Sequence, residues 1–236
     1  MANLLLGVTG SVAAIRTPEL YGTLKRDGHR VKVVATRAAV YFFDPAALDP
    51  RDPSRPERNR DVVILDEDEW PGSAAGHRYQ RQDSVLHIEL RRWAELLLVA
   101  PLDANTLAKL ANGLADNCLT CVWRAWDPAN PVVLAPAMNT LMWEHPLTRQ
   151  HLLHLASTAG AGSPPPAGLD LEGVIDWMNR ACPKLRIVPP QCKQLACGDV
   201  GVGAMADLEM IGTAVYGQLA AGINPAALPE VRRWSG

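Results

Sequence analysis

The sequence predicts an α/β fold of three layers, in which helices cover both faces of one parallel sheet. Short, continuous apolar runs such as Leu4–Val8 and Val132–Ala135 are typical of strands buried on both faces. Segments that fit helices alternate with these runs along the chain. Strands that alternate with helices indicate a parallel sheet with right-handed crossovers.

The elements follow one another as strand and helix pairs. The strands are Leu4–Val8, Arg30–Ala35, Leu96–Ala100, Val132–Ala135 and, as the last, Arg186–Val188. The helices are one that runs from the first turn to Asp27, then Thr106–Ala111, Asp116–Trp126, Thr148–Ala156 and Leu208–Ala220. Thr17-Pro18 looks like a second start inside the first helical region, because proline favours the first helical position.

We expect one domain over residues 1–222 and a C-terminal tail over residues 223–236. Two segments interrupt the alternation of strands and helices. Residues 44–61 are rich in Pro, Arg and Asp, and residues 160–183 hold three consecutive prolines and an apolar patch, Leu169–Met178. Because unstructured loops of this length are uncommon inside a domain and usually functional or disordered, we interpret both segments as loop excursions.

Composition excludes several classes of protein. The 25 acidic and 23 basic residues give a net charge of −2, and no basic stripe indicates a nucleic-acid surface. No apolar stretch has the length needed to span a membrane, and the N-terminal residues do not resemble a signal peptide. Five cysteines, an odd number, favour reduced thiols, so we expect a cytoplasmic protein without a membrane or nucleic-acid partner.

The segment Pro136–Trp143, with the sequence PAMNTLMW, directly follows a predicted buried strand. In open α/β sheets, ligands bind just beyond the carboxyl ends of the strands. Asn139, flanked by Met138 and Met142, could hold a polar ligand group against an apolar ring. The alternative is a turn in which Asn139 caps a helix and the methionines fill the core.

The first turn, Gly7-x-x-Gly10-Ser11, joins a strand to a helix. Backbone N–H groups at such a helix start favour a phosphate, although a plain tight turn is an equal alternative. The spacing matches neither the dinucleotide pattern nor the P-loop, which favours a cofactor with a single phosphate. Asn105 and Thr106, after the third strand, could either cap the next helix or contact a ligand.

Two further side chains are candidates for acid–base chemistry. His87 lies among apolar neighbours and could act as a base, although a lone histidine is more often structural. Cys197 lies in ACGDVGVGAMA, residues 196–206, whose glycines predict a mobile flap and not a core strand. A thiol on such a flap could serve as acid, base or nucleophile, or it could be a small residue in a turn.

Two other patterns do not favour a metal site. Cys118 and Cys121 match C-x-x-C but lie inside a predicted helix, on one face, without a second pair to complete a zinc site. His145, His151 and His154 have no carboxylate or thiol at ligand spacing and are interpreted as surface or packing residues. The run Asp66–Glu69 is expected to be a solvated acidic edge.

In this order, the segments resemble the flavin-dependent cysteine decarboxylase family. The resemblance runs from Leu4 to about Ala220, apart from the two excursions, and its most specific parts are PAMNTLMW and ACGDVGVGAMA. It implies a Rossmann-like, flavodoxin-like subunit, a homotrimer, and FMN bound near a subunit interface. Residues 160–183 are longer than the family's usual link, and Gln194 stands where a basic residue is often found.

The family's functional residues can be carried over by position. FMN contacts are implied for Gly10, Ser11, Val12, Thr36, Arg37, Ala38, Phe42, Ala104, Asn105, Thr106, Leu107 and Ala137. The resemblance implies that His87 is the catalytic base, that Asn139 binds the substrate carboxylate and that Cys197 donates a proton. It places Met142, Ala196 and Met205 against the substrate.

The implied reaction is FMN-dependent decarboxylation of 4'-phosphopantothenoylcysteine to 4'-phosphopantetheine, in coenzyme A biosynthesis. FMN would oxidise the substrate thiol to a thioaldehyde, which accepts the electrons left by CO2, and would then return the hydride. Alternatives are a peptidyl-cysteine decarboxylase, a regulatory subunit that inhibits a protein phosphatase, and a flavodoxin-like electron carrier. His87, Asn139 and Cys197 occur together, and the chain ends without an acidic run, which favours the enzyme over the regulator.

Overall fold

The computed structural model describes residues 1–48, 61–70, 72–194 and 200–222, and within them a parallel sheet of six strands. The strands are β1 (Asn3–Val8), β2 (Arg30–Ala35), β3 (Val63–Leu65), β4 (Leu96–Leu102), β5 (Val132–Pro136) and β6 (Leu185–Ile187). Their order across the sheet is β3-β2-β1-β4-β5-β6. This is the order of doubly wound dinucleotide-binding sheets, and removal of the short edge strand β3 leaves the flavodoxin order.

The strand order reverses between β1 and β4. The chain adds β2 and β3 on one side of β1, then crosses over and adds β5 and β6 beyond β4. In such sheets the crevice outside the carboxyl ends of the two central strands is the usual place for a ligand. The topology therefore predicts a ligand site at the turns that follow β1 and β4.

Side chains along each central strand point alternately into two separate cores. Leu5 and Leu97 belong to one cluster of buried residues, whereas Leu4, Leu6 and Leu98 belong to the other. Because successive side chains of a strand point to opposite faces, a continuous leucine run is what a sheet covered on both faces requires. The three-layer prediction is confirmed.

Eight α-helices cover the sheet within the described ranges. They are α1 (Thr17–Arg26), α2 (Leu86–Trp93), α3 (Ala104–Asn112), α4 (Cys118–Arg124), α5 (Thr140–Trp143), α6 (Pro146–Thr158), α7 (Leu171–Ala181) and α8 (Leu208–Gly222). Buried residues of α1 and α8 pack on one face, and those of α2 to α7 pack on the other. None of these helices is long and apolar enough to cross a bilayer.

A two-stranded antiparallel hairpin lies outside the main sheet. Its strands are β7 (Gln191–Gln194) and β8 (Val200–Ala204). The prediction that Arg186–Val188 is the last strand is therefore wrong for the chain, although β6 is the last strand of the main sheet. Residues 200–204 form a strand where the sequence predicted a flap, but this strand does not join the main sheet.

Several predicted boundaries are also corrected. The first helical region is a 3-10 helix, Val12–Arg16, followed by α1, and Pro18 lies at the start of α1 as predicted. The sequence did not predict β3, which has only three residues, or α2, which carries His87. The helix α3 begins at Ala104 because Asp103 caps it, two residues before the predicted start.

The interpretation of residues 160–183 as a loop excursion is wrong for their second half. The apolar patch in this segment forms α7, which begins at its N-cap Asp170 and buries Val174, Ile175 and Met178. These side chains belong to the core that also contains residues of α6 and β6. The residues that follow the three prolines therefore complete the layer over β5 and β6.

We expect Met178→Ala to lower the free energy of unfolding by about 2–5 kcal/mol, because it opens a cavity under a fully buried side chain. Chemical denaturation would measure the change. The matched control is Asp176→Ala on the exposed side of the same helix, which should stay within about 0.5 kcal/mol of wild type. Equal stabilities of the two variants would contradict the assignment of α7 to the core.

Candidate functional site

The turns after β1, β2 and β4 meet at Gly10. A Cβ atom at this position would lie 2.6 Å from Ala38 Cβ and 3.2 Å from Asp103 Oδ2, so only glycine fits. Gly10 follows β1, Ala38 follows β2, and Asp103 follows β4. Three groups of predicted cofactor contacts, distant in sequence, are therefore brought to one edge of the sheet.

Hydrogen bonds of buried groups fix these turns relative to one another. Thr9 Oγ1 donates to the Pro101 carbonyl oxygen at 2.8 Å and accepts from the Asp103 backbone N–H at 2.7 Å. The Thr36 backbone N–H donates to the Val8 carbonyl oxygen at 3.0 Å. Because Thr9 is fully buried, these bonds are protected from competing water and hold the crevice between β1 and β4 in shape.

The crevice combines a polar turn with exposed apolar side chains. Ser11 caps the 3-10 helix Val12–Arg16, and Val12 and Ile15 on that helix are exposed. Thr36 Oγ1 is buried and has no hydrogen-bond partner among the described residues. A buried polar atom of this kind commonly indicates a missing ligand or water.

One of the two roles considered for Asn105 and Thr106, that of capping the helix after β4, is wrong. Asp103, and not Asn105 or Thr106, caps α3: its Oδ1 accepts from the Thr106 backbone N–H at 2.7 Å. The spacing of Asp103 and Thr106 is that of an N-cap and was available in the sequence. Asn105 is exposed at this edge, whereas Thr106 and Leu107 are buried by the protein itself.

Asn139 caps α5 at the carboxyl end of β5. Its Oδ1 accepts from the Leu141 backbone N–H at 2.9 Å, so the capping interpretation is confirmed. This bond also holds the Asn139 side chain in one orientation, and a side chain that binds a ligand needs such a fixed orientation. Ala137 and Met138 are buried, and Met142 is half exposed.

The hairpin of β7 and β8 lies on this same turn. The Met138 backbone N–H donates to the Gly203 carbonyl oxygen at 3.0 Å. Gly203 has φ of +150°, and a Cβ there would collide with the Met138 carbonyl oxygen, while one at Gly201 would collide with Thr140 Oγ1. The glycines of this segment therefore allow close packing of the hairpin on the turn after β5.

The base of the hairpin is also held by Asp207, the residue before α8. Lys193 Nζ lies 2.6 Å from Asp207 Oδ1, and Gln191 Nε2 donates to Asp207 Oδ2 at 3.1 Å. The bond from Lys193 holds the pKa of Asp207 below its usual value. Met205, at the end of the hairpin, is buried, whereas the predicted residues Ala196 and Cys197 lie outside the described ranges.

We expect Gly203→Ala to speed hydrogen exchange of the Met138 amide about fivefold or more, because loss of its hydrogen bond costs about 1 kcal/mol. Amide exchange followed by NMR would measure the change. Gly212→Ala is a matched control, since a Cβ at this position in α8 meets no atom within 4 Å. Unchanged protection of Met138 in Gly203→Ala would contradict the packing described.

His87 lies near the N-terminus of α2 and contacts Glu69. Its Nδ1 atom is 2.7 Å from Glu69 Oε1, and Glu69 is 3% exposed. The Trp70 ring lies edge-on to the imidazole, with 6.4 Å between ring centroids. The sequence analysis did not identify Glu69, since its partner is 18 residues away and no motif spacing connects them.

The prediction of a solvated acidic edge at residues 66–69 is wrong. Of the four acids, Glu67 alone is exposed. Asp66 Oδ2 accepts from the Arg37 backbone N–H and Asp68 Oδ2 from that of Leu65, each at 2.9 Å. Burial raises the pKa of Asp66. The acidic run is thus a packed turn that connects β3, the turn after β2, and α2.

Cys118 and Cys121 lie on α4 as predicted, with Cys118 buried and Cys121 partly buried. Burial, with Glu69 as the next cause, raises the pKa of Cys121 to about 11, and burial raises that of Cys118 further. Both thiols therefore stay protonated near neutral pH, which does not favour a reactive role.

The single chain does not bring His87 and Asn139 together. His87 is held by the turn after β3, at one edge of the sheet, whereas Asn139 follows β5. Four steps in the sheet order separate β3 from β5, or about 19 Å at the usual spacing of neighbouring strands. The two candidate residues occupy different parts of the carboxyl edge.

Comparisons with known proteins identify the family of this chain. A family model described as Flavoprotein matches residues 1–220. Phosphopantothenoylcysteine decarboxylase HAL3 of Malus domestica is 43% identical over 210 residues, which cover 89% of this chain and 79% of that protein. Phosphopantothenoylcysteine decarboxylase of Mus musculus is 43% identical over 213 residues, with coverage of 89% and 83%.

Solved structures share the fold. One is a PPC decarboxylase variant with a cysteine replaced by serine, complexed with pantothenoylaminoethenethiol. It is 40% identical to this chain, with a TM-score of 0.68, and the match covers 91% of this chain and 96% of that chain. The FMN binding protein AtHal3 is 40% identical, with a TM-score of 0.65 and coverage of 91% and 95%. By the family match and these relatives, the chain belongs to the Flavoprotein family.

Proposed function

We propose that this protein is an FMN-dependent decarboxylase that converts 4'-phosphopantothenoylcysteine to 4'-phosphopantetheine in coenzyme A biosynthesis. The observation that carries the proposal is the carboxyl edge of the sheet. The turns after β1, β2, β4 and β5 meet there in a chain 43% identical to two proteins named for this activity. Such an edge is where this class of fold binds its ligands.

The residues at this edge fit FMN. The turn Gly10-Ser11-Val12 leads into the N-terminus of a short helix, whose N–H groups suit a phosphate. The unpartnered Thr36 hydroxyl offers a buried polar contact. Phe42, half buried and in edge contact with Tyr41, and the buried Ala137 provide apolar surface for a ring. When bound, FMN would take two electrons from the substrate thiol and return them after CO2 has left.

The chain's own side chains would orient the substrate and move its protons. Asn139, fixed by its capping bond, would hold the carboxylate, and the neighbouring Met142 would keep water from it. His87 would take a proton as the thiol is oxidised. Cys197 would donate a proton when the enethiol is reduced. A PPC decarboxylase in which one cysteine is replaced by serine is solved as a complex with pantothenoylaminoethenethiol, which supports a cysteine as the proton donor.

We further propose a homotrimer in which His87 of one protomer completes a site with Asn139 and Cys197 of its neighbour. The separation of His87 from Asn139 in one protomer supports this arrangement. Apolar side chains exposed in the single chain also support an interface, because burial in an assembly would stabilise them. They include Ile15, Tyr41, Trp70 and Leu141.

The four described cysteines are free, which is consistent with our proposal of a cytoplasmic location.

Purified protein supplies a direct test. It should be yellow, release FMN on denaturation, and liberate CO2 from 4'-phosphopantothenoylcysteine. A colourless protein that cannot take up FMN would refute the proposal. CO2 release only from a peptide with a C-terminal cysteine would instead identify a peptidyl-cysteine decarboxylase.

The trimer has a separate test. Light scattering should give three times the chain mass. His87→Asn and Cys197→Ser should each form almost no 4'-phosphopantetheine, and their co-expression should restore its formation in mixed assemblies. Recovery is expected because some interfaces then combine an intact His87 with an intact Cys197. No recovery from demonstrably mixed assemblies would contradict a site that spans subunits.

A further inference from the structure

Glu69 is a buried carboxylate that the proposed mechanism does not use. It is the last residue of the 3-10 helix Asp66–Glu69, and its side chain is 4% exposed. A buried acid without a partner is costly, so a buried carboxylate is normally paired or hydrogen-bonded. The partner of Glu69 is the imidazole of His87, which is itself mostly covered, with 18% of its side chain exposed.

The geometry of this pair fixes which nitrogen of His87 carries its proton. A carboxylate can only accept a hydrogen bond, so at 2.7 Å from Glu69 Oε1 the His87 Nδ1 atom must be the donor. In the neutral imidazole, Nε2 is then left with its lone pair and can accept a proton. The ring is also held in one orientation, because α2 and the acidic turn pack against each other.

A metal site is the competing interpretation of the same residues. Donor atoms of Glu69, His87 and Cys121 all lie within 4.8 Å of one another. Two ligands of a tetrahedral zinc ion, each about 2.0–2.1 Å from the metal, are roughly 3.3 Å apart. The separation of Nδ1 and Oε1 is 2.7 Å, which is a hydrogen-bond distance.

Cys121 is the third member of the cluster. Burial, and next to it the charge of Glu69, raises the pKa of Cys121, so in the metal-free protein this thiol stays protonated and can share the buried acceptor. The cluster therefore consists of one buried acceptor with an imidazole and a thiol beside it.

We infer that Glu69 is a positioning residue, which holds His87 with Nδ1 protonated and Nε2 free to act as the base in the proposed decarboxylation. The inference rests on the proposed function for its effect on rate. Its structural part, the tautomer and orientation of His87, does not depend on any activity. The same division of roles between acid and imidazole occurs in hydrolytic triads.

The test uses the full-length protein and the variant Glu69→Gln. We expect kcat for CO2 release to fall about 10–100-fold with little change in KM, the range found when the hydrogen-bond partner of a metal-bound imidazole is removed. FMN content and assembly size should stay as in wild type. The matched control is Glu67→Gln, which makes the same charge change at the exposed acid of the same turn and should keep wild-type kcat.

A second readout needs no turnover. NMR correlations of 15N-labelled histidine side chains distinguish the two imidazole tautomers, and His87 is assigned from the His87→Asn spectrum. Wild-type protein should show His87 protonated at Nδ1. Glu69→Leu, which removes the acceptor, should abolish that preference. If Glu69→Leu does not fold, the kcat of Glu69→Gln and the His87 tautomer in the wild-type spectrum still test the inference.

Three results would overturn the inference. They are wild-type kcat in Glu69→Gln, a wild-type His87 protonated at Nε2, and an equivalent of zinc that survives chelator in wild type but not in Glu69→Gln. Failure of the proposed function looks different. In that case wild-type protein itself releases no CO2, and the spectra alone decide whether Glu69 orients His87.

Discussion

His87→Asn is expected to release CO2 about 10²–10⁴ times more slowly than wild type, the usual cost of losing a general base. Asparagine is close in size to histidine but cannot accept a proton near neutral pH. Its amide can still donate to Glu69, so the buried acid keeps a hydrogen-bond partner. We therefore expect normal folding and full FMN content, which makes the loss a catalytic one.

The measurement is the rate of 14CO2 release from carboxyl-labelled substrate, together with the flavin spectrum. His154→Asn is the matched control, because His154 is an exposed histidine on α6 that lines a cavity with Val132 and Leu185, the first residues of β5 and β6, at the opposite end of the sheet. It should behave as wild type. CO2 release by His87→Asn at the wild-type rate would exclude His87 as the base.

Cys197→Ser should still oxidise and decarboxylate the substrate but fail to complete the reduction. A serine hydroxyl is a far weaker acid than a thiol, so the proton needed with the returning hydride is not supplied. We expect a turnover loss of about 10²–10⁴-fold and an accumulating enethiol that is lighter than 4'-phosphopantetheine by two hydrogens. Mass spectrometry of a single-turnover mixture would identify it.

Cys192→Ser provides the control for this variant. Cys192 is an exposed free cysteine in β7, five residues before Cys197 in the sequence, and its replacement makes the same chemical change. It should yield 4'-phosphopantetheine at the wild-type rate. If Cys197→Ser also produced 4'-phosphopantetheine normally, another group would have to be the proton donor.

The central strands could be predicted from the sequence because burial on both faces leaves an unbroken apolar run, as in Leu4–Val8 and β5. The strand β3 and the helix α7 could not be predicted in this way. The strand β3 has three residues, too few for any periodicity, and is recognisable only by its pairing with β2. The helix α7 was missed because the prolines and glycines before it dominate the segment, although its apolar patch was visible.

The same distinction applies to the residues of the candidate site. Residues within one turn, such as Gly10-Ser11 and Asn139, could be placed at the carboxyl edge from the sequence because a strand end and a motif occur together there. Glu69 could not, because its role depends on a contact across 18 residues that only the packed turn creates. The assignments of the individual cofactor and substrate contacts remain predictions until the variants are measured.

The short edge strand β3 also limits which insertions and deletions the protein can tolerate. Glu69 follows the end of β3 by four residues, and β3 is positioned by three pairings, Val33–Val63, Val34–Ile64 and Ala35–Leu65. A slip of one residue along β2 would shift the acid by about 3.3 Å, which exceeds the 2.7 Å separation of Glu69 and His87. Insertions and deletions in the preceding loop should therefore be tolerated only where they preserve this alignment.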